Sequence, residues 1–177
     1  MMLVMVLVLS ELLISDVTAV ILNRILENRE PKRQTDQSQD FKKGPCADGW
    51  IHFPYFSSCY KFFPLNRNWI DAELYCQSLV LGGHLTAIHS NELNQFIVKL
   101  IGARNRLFPP TWIGLSDAYK EGSFFWSDGS SLGFRNWIRL QPDNRNGMEN
   151  CVITKSGGWN DWPCKTQRPF ICSYQMP

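Results

Sequence analysis

The sequence predicts an α+β domain, rich in loops and stapled by disulfides. Three observations carry this: helical periodicity between residues 68 and 101, short β-branched and aromatic runs after Pro109-Pro110, and six cysteines with none before position 46. At 177 residues, 44% hydrophobic and 13% aromatic, the chain suffices for one well-buried core and is short for two full domains.

The chain opens on "MMLVMVLVL", an apolar run of signal-peptide length, and "VTA" ending at Ala19 resembles a small-residue cleavage site. A membrane anchor is the rival reading. Glu11 and Asp16 lie inside the apolar span, and each costs roughly 2.5–3.5 kcal/mol at a helix centre, which nearly cancels the apolar gain. The expectation is therefore a secreted protein with a leader over 1–19 and no stable membrane span. Residues 20–45 are charged, Gln-rich and almost free of aromatics, a composition that cannot bury a core. They read as a pro-segment or N-terminal tether, with Lys32-Arg33 as a dibasic processing point. The globular unit is expected over 46–177.

Within it, "NWIDAELYCQSL" places Trp69, Ala72, Tyr75, Cys76 and Leu79 on one helical face, with Asn68 as N-cap and Gly82-Gly83 ending the run. "SNELNQFIVKLI" repeats the plan. Ser90 caps it, Glu92 sits near the positive helix end, and Leu93, Phe96, Ile97 and Leu100 face inward. After the prolines, "TWIGL", "SFFWS", "CVIT" and "FICSY" read as strands separated by Gly, Asp and Asn.

Several function classes find no footing. The formal net charge is only +2, and no basic block is interleaved with aromatics, so nucleic-acid binding is unsupported. The cysteines lack the CxxC spacing of a zinc site and read as three disulfides formed in an oxidising compartment. Six cysteines permit 15 pairings, and spacing alone does not choose among them. His52, His84 and His89 have no metal-ligand spacing and read as structural or surface residues; no GxSxG or P-loop occurs.

Two loops concentrate oxygen ligands. "QPDNRNGMENC" and "GGWNDWPC" offer the amides of Gln141 and Asn160 and the carboxylates of Asp143, Glu149 and Asp161. Ca²⁺ takes about 6–8 oxygens from such groups in flexible geometry, whereas Mg²⁺ resists dehydration into an all-protein cage. A cis Gln141–Pro142 bond would turn the flanking side chains toward one ion. A plain polar turn accounts for the same residue types, and the loops alone leave both readings open.

"WIGL" at Trp112–Leu115, the cysteine pattern, "QPD" at Gln141–Asp143 and "WND" at Trp159–Asp161 together resemble a C-type lectin domain, over essentially all of Cys46–Cys172. The resemblance implies a C-type lectin-like fold of two helices, small antiparallel sheets and a long calcium-binding loop region, with Trp112 and Leu115 in the core. It implies the pairings Cys46–Cys59, Cys76–Cys172 and Cys151–Cys164, the first marking the long form with an N-terminal hairpin. It also implies that Gln141, Asp143, Glu149, Asn160 and Asp161 bind Ca²⁺ and, through it, two vicinal sugar hydroxyls. "QPD" members generally favour galactose over mannose. This chain departs from that pattern in carrying "NRNGM", with Arg145 and no stacking aromatic, which forfeits about 1 kcal/mol of affinity.

An auxiliary calcium site could use Asp117 and Glu121 with Asn144, Glu149 and Asn150; two positions that are often acidic are amides here, so a solvated patch is the better reading. The function expected is a calcium-dependent lectin recognising galactose-type glycans on microbes or cells. With every cysteine paired, an oligomer supplying avidity would be non-covalent. The alternative is a calcium-dependent ice-binding protein of the type II antifreeze kind. Glycoside cleavage by Asp143 and Glu149 is disfavoured, because carboxylates committed to a metal have no proton to give.

Overall fold

A computed structural model of the chain describes residues 45–177. The expected leader, the Lys32-Arg33 point and the tether apart from Pro45 lie outside the described residues. No helix among the described residues is long and apolar enough to cross a membrane.

Among the described residues the elements run from a hairpin, β1 (Ile51–Phe53) and β2 (Ser58–Arg67), through α1 (Trp69–Leu79) and β3 (His84–Leu85) to α2 (Asn91–Arg104). The strands β4 (Thr111–Ser116), β5 (Phe125–Trp126), β6 (Cys151–Lys155), β7 (Gly158–Trp162) and β8 (Arg168–Gln175) follow. They join one hydrogen-bonded sheet in the order β1-β2-β8-β4-β6-β7, with β3 on β8 and β5 on β4. All pairings are antiparallel except β4 with β8, where Trp112 meets Phe170. The long hairpin strand β2 is rich in aromatics but does not alternate, with buried pairs Cys59-Tyr60 and Phe62-Phe63 side by side.

Both helices start where their caps predict. The Asn68 side chain accepts from the Asp71 N–H, and the Ser90 hydroxyl accepts from the Leu93 N–H; each such cap stabilises its helix by about 1 kcal/mol. The strands alternate between two cores. Ile113, Leu115, Val152, Trp159 and Ile171 pack with Leu93, Ile97, Leu100 and Ile101 of α2. Trp112, Cys151, Ile153, Phe170 and Cys172 pack with Trp69, Ala72 and Cys76 of α1. Every residue of β4 is buried because both faces of that strand are covered.

The inward face of α1 differs from the expected one. Leu79 is exposed, whereas Glu73 is only 4% exposed. The Glu73 carboxylate accepts from the Leu85 N–H (2.8 Å), the Ser127 hydroxyl (2.9 Å) and the Gln77 amide (2.7 Å), and meets His84 Nδ1 at 2.6 Å. Hydrophobic periodicity has no term for a carboxylate whose donors arrive from other elements. His84 is thereby a structural histidine. Three disulfides, Cys46–Cys59, Cys76–Cys172 and Cys151–Cys164, tie the hairpin, α1 to β8, and β6 to the turn after β7. The second spans 96 residues, a closure worth about 4–5 kcal/mol in the chain-entropy account.

Candidate calcium and sugar site

The site is built on β7 and the loop before β6. Trp159 is its anchor: fully buried, it meets Trp126, Phe134 and Trp137 edge-on at 5.4, 5.6 and 5.9 Å. Its indole N–H donates to Asn94 Oδ1 on α2 (3.1 Å), and the Asn94 amide donates to the Gly157 carbonyl (2.7 Å). The Trp159 N–H donates to the Asn136 carbonyl, and the Ile138 N–H donates to the Trp159 carbonyl. These bonds lay residues 136–138 against β7. The next residues, Asn160 and Asp161, are thus presented on a strand, and the loop carrying Gln141 and Asp143 is delivered beside them.

The Gln141–Pro142 peptide bond is cis. One oxygen of each of Asp143, Glu149 and Asp161 lies within 4.8 Å of the others, with Asp143 exposed and Glu149 and Asp161 buried. Asp161 accepts from the backbone N–H of Asp143 (3.2 Å) and of Asn144 (2.7 Å). Glu149 accepts from the Arg145 N–H (3.3 Å), while the Glu149 N–H donates to Asn144 Oδ1 (3.1 Å). Asn144 therefore shapes the loop from both ends, in the left-handed region at φ 39°, where Asn is tolerated. The sequence suggests Asn144 only for the auxiliary site. Its signal was local: an Asn after Asp, ahead of Gly, in a turn.

No Lys or Arg among the described residues makes an ion pair with the three carboxylates. At such separations each pair of ionised carboxylates repels by roughly 3–4 kcal/mol at an effective dielectric of ~20. The effect is felt at Glu149, whose pKa is raised by burial and by the charges of Asp161 and Asp143, against the lowering effect of the Arg145 N–H.

Gln141 tests the fit to a cation. With its amide nitrogen inward, Gln141 donates to Asp161 Oδ1 (2.6 Å), to Asp143 Oδ1 (3.1 Å) and to Asn160 Oδ1. With its oxygen inward it faces only acceptors, an orientation that a cation among them stabilises. Gln141, Asn160 and the three carboxylates thus converge as a hard-oxygen set, and the residues present fit Ca²⁺.

The auxiliary set is different. Asn150 Nδ2 donates to Asp117 Oδ1 (3.3 Å) and Glu121 Oε2 (3.2 Å), and the Gly122 N–H donates to Asp117 Oδ2 (2.8 Å). Asp117 and Glu121 share the Asn150 amide, and this set does not gather three carboxylates as the first one does.

Residues 65–174 match the family described as Lectin C-type domain. A lectin of Pleurodeles waltl is 41% identical over 135 residues, covering 75% of this chain and 77% of the relative. The galactose-specific lectin nattectin of Thalassophryne nattereri is 38% identical over 133 residues, covering 74% and 81%. Among solved structures, the C-type lectin CEL-I of Cucumaria echinata aligns with a TM-score of 0.71 at 29% identity, over 76% of this chain and all of that one. Herring type II antifreeze protein aligns at 0.66 with 31% identity, covering 75% and 100%. This chain belongs to the C-type lectin domain family. Its family and its relatives make it a carbohydrate-binding lectin, and they indicate no enzymatic activity.

Proposed function

We propose that this protein is a secreted, calcium-dependent lectin of galactose type. The observation that carries the reading is the convergence of Asp143, Glu149 and Asp161 beside Gln141 and Asn160 without a basic side chain among them. Ca²⁺ bound there would be held by these five side chains and would supply coordination positions for two vicinal sugar hydroxyls. The chain's own part is orientation. Carboxylate oxygens accept hydroxyl protons, and the amide nitrogens of Gln141 and Asn160 donate to hydroxyl lone pairs. The order amide–Pro–acid across Gln141–Asp143 favours galactose, in keeping with the similarity to a galactose-specific relative.

The remaining parts of the reading rest on sequence: a leader over 1–19, a tether over 20–45, and the lectin domain from Cys46. No free cysteine remains among the described residues, so self-association would be non-covalent. One shallow site binds weakly, and avidity would come from such assembly. Retention on galactose-agarose in calcium and release by EDTA tests the proposal; retention that ignores EDTA overturns it. Thermal hysteresis of the same preparation separates the ice-binding alternative.

A further inference from the structure

A second feature lies away from the carboxylate cluster. Arg67 closes β2 and Arg168 opens β8, and the two are direct cross-strand partners. Directly opposed residues project from the same sheet face. Each guanidinium rests on an aromatic ring: Arg67 Cζ is 4.7 Å from the Tyr75 ring centre, and Arg168 Cζ is 5.2 Å from that of Trp162. Tyr75 in turn packs on Phe63 and Phe170 of the same two strands, at 5.4 and 5.5 Å. Both arginines are half-buried.

What they lack is a negative partner. Both Nε atoms are buried with no acceptor. Among the described residues neither guanidinium makes an ion pair or a hydrogen bond. The nearest acid in sequence, Asp71, accepts instead from the Asn68 amide at 2.7 Å. Like charges directly opposite one another destabilise a sheet, and buried donors without acceptors add to that cost. Stacking fixes the plane of each guanidinium and leaves its in-plane N–H groups uncommitted. Two such forks, carried by directly paired residues, offer a tetrahedral oxyanion more than one charge-assisted donor. Lys165, exposed in the Pro163–Thr166 turn just before β8, adds a third positive charge nearby in sequence.

The geometry points to an oxyanion site at Arg67 and Arg168 that takes a sulfate group, either free or as the sulfate ester of a glycan. An anion there removes the like-charge repulsion and gives the terminal guanidinium nitrogens their acceptors. The site uses no residue of the calcium cluster, so it stands or falls separately from the lectin reading.

The test is run in EDTA, with the calcium cluster out of play. Arginine Nε–Hε resonances of ¹⁵N-labelled protein are followed while sodium sulfate is added, against sodium chloride at equal ionic strength. Dextran sulfate oligomers are then compared with unsulfated dextran. The resonances of Arg67 and Arg168 should shift saturably with sulfate and with dextran sulfate, and stay put with chloride and dextran. The double variant R67Q/R168Q should lose at least ten-fold in affinity for dextran sulfate, and Arg168→Lys, which keeps the charge but not the fork, should weaken it several-fold. Saturation by inorganic sulfate identifies a free-anion site, and response to dextran sulfate alone identifies an ester site; both support the inference. Should R67Q/R168Q fail to fold, the wild-type resonances still decide. Resonances unmoved by either sulfate, or undiminished dextran sulfate binding by a folded R67Q/R168Q, overturn it.

Discussion

Glu73 is withdrawn from water, as are Glu149 and Asp161 of the cluster they form with the exposed Asp143, and the two regions solve the problem in opposite ways. Glu73 is met by four groups, from Leu85, Ser127, Gln77 and His84. The cluster crowds three carboxylates within 4.8 Å and answers them with a few backbone N–H groups and no basic side chain. A buried carboxylate that carries its own donors holds structure together. One crowded by others of its kind, with fewer donors of its own, suits the cation site proposed above.

The sharpest break of this comparison is Asp161→Ala. Asp161 is fully buried and receives two loop N–H groups, yet Trp159 and the disulfides carry the local packing. Calcium-dependent sugar binding should fall by more than 100-fold while near-ultraviolet dichroism stays native. A mutant still held by galactose-agarose and released by EDTA contradicts the assignment. Glu73→Ala should do the reverse. It leaves the Leu85 N–H and the Ser127 hydroxyl without an acceptor and should cost about 3 kcal/mol of stability by denaturant titration, with sugar affinity per folded molecule unchanged within two-fold.

Next in size is the exchange Gln141→Glu with Asp143→Asn. It keeps the number of side-chain oxygens and the net charge, so calcium affinity should survive, while donors and acceptors swap sides. A misplaced charge-assisted hydrogen bond is worth about 1.5–3 kcal/mol, so preference should move at least ten-fold from galactose toward mannose. Unchanged competition by the two sugars places specificity elsewhere.

The smallest expected effect is in pH. The raised pKa of Glu149 in the calcium-free protein means that folding favours its protonated form. Its contribution to stability is present below the ordinary carboxylate pKa and is lost as pH rises through the raised value. The thermal midpoint in EDTA should therefore decline with pH across that window, and Glu149→Gln should flatten the decline. Calcium, which favours the ionised form, should remove it. A wild-type midpoint in EDTA that rises across the window counts against the crowding argument.

Much of this was legible in the residues. Asn68 and Ser90 announce the two helices, and "WIGL" becomes β4, buried on both faces. The candidate ligands were legible because coordination chemistry restricts residue types: Gln141, Asp143, Glu149, Asn160 and Asp161 could be named before their convergence was known. Glu73 was not, because its donors come from α1, β3 and Ser127, and no local pattern records that meeting. A further role of Asn144 was hidden for a similar reason: a backbone conformation and a hydrogen bond from the Glu149 N–H, visible only once the loop is folded. The pairing of Arg67 with Arg168 depends on strand register across a hundred residues, beyond the reach of any window.

The sheet order has one more consequence, for how the protein is displayed. The Ala47 N–H donates to the Tyr174 hydroxyl and the Met176 N–H to the Ser57 carbonyl, so both ends of the described chain leave beside β2 and β8. The strand bearing Asn160 and Asp161 is the far edge, four strand positions from β2, or roughly 20 Å at ~4.8 Å per strand. A stalk, a surface or a fusion partner attached at either end of the described chain would leave the edge carrying the proposed site pointing outward. Copies grafted side by side by their termini would present a field of sites with a common heading, which is the arrangement a densely glycosylated target engages at many points at once.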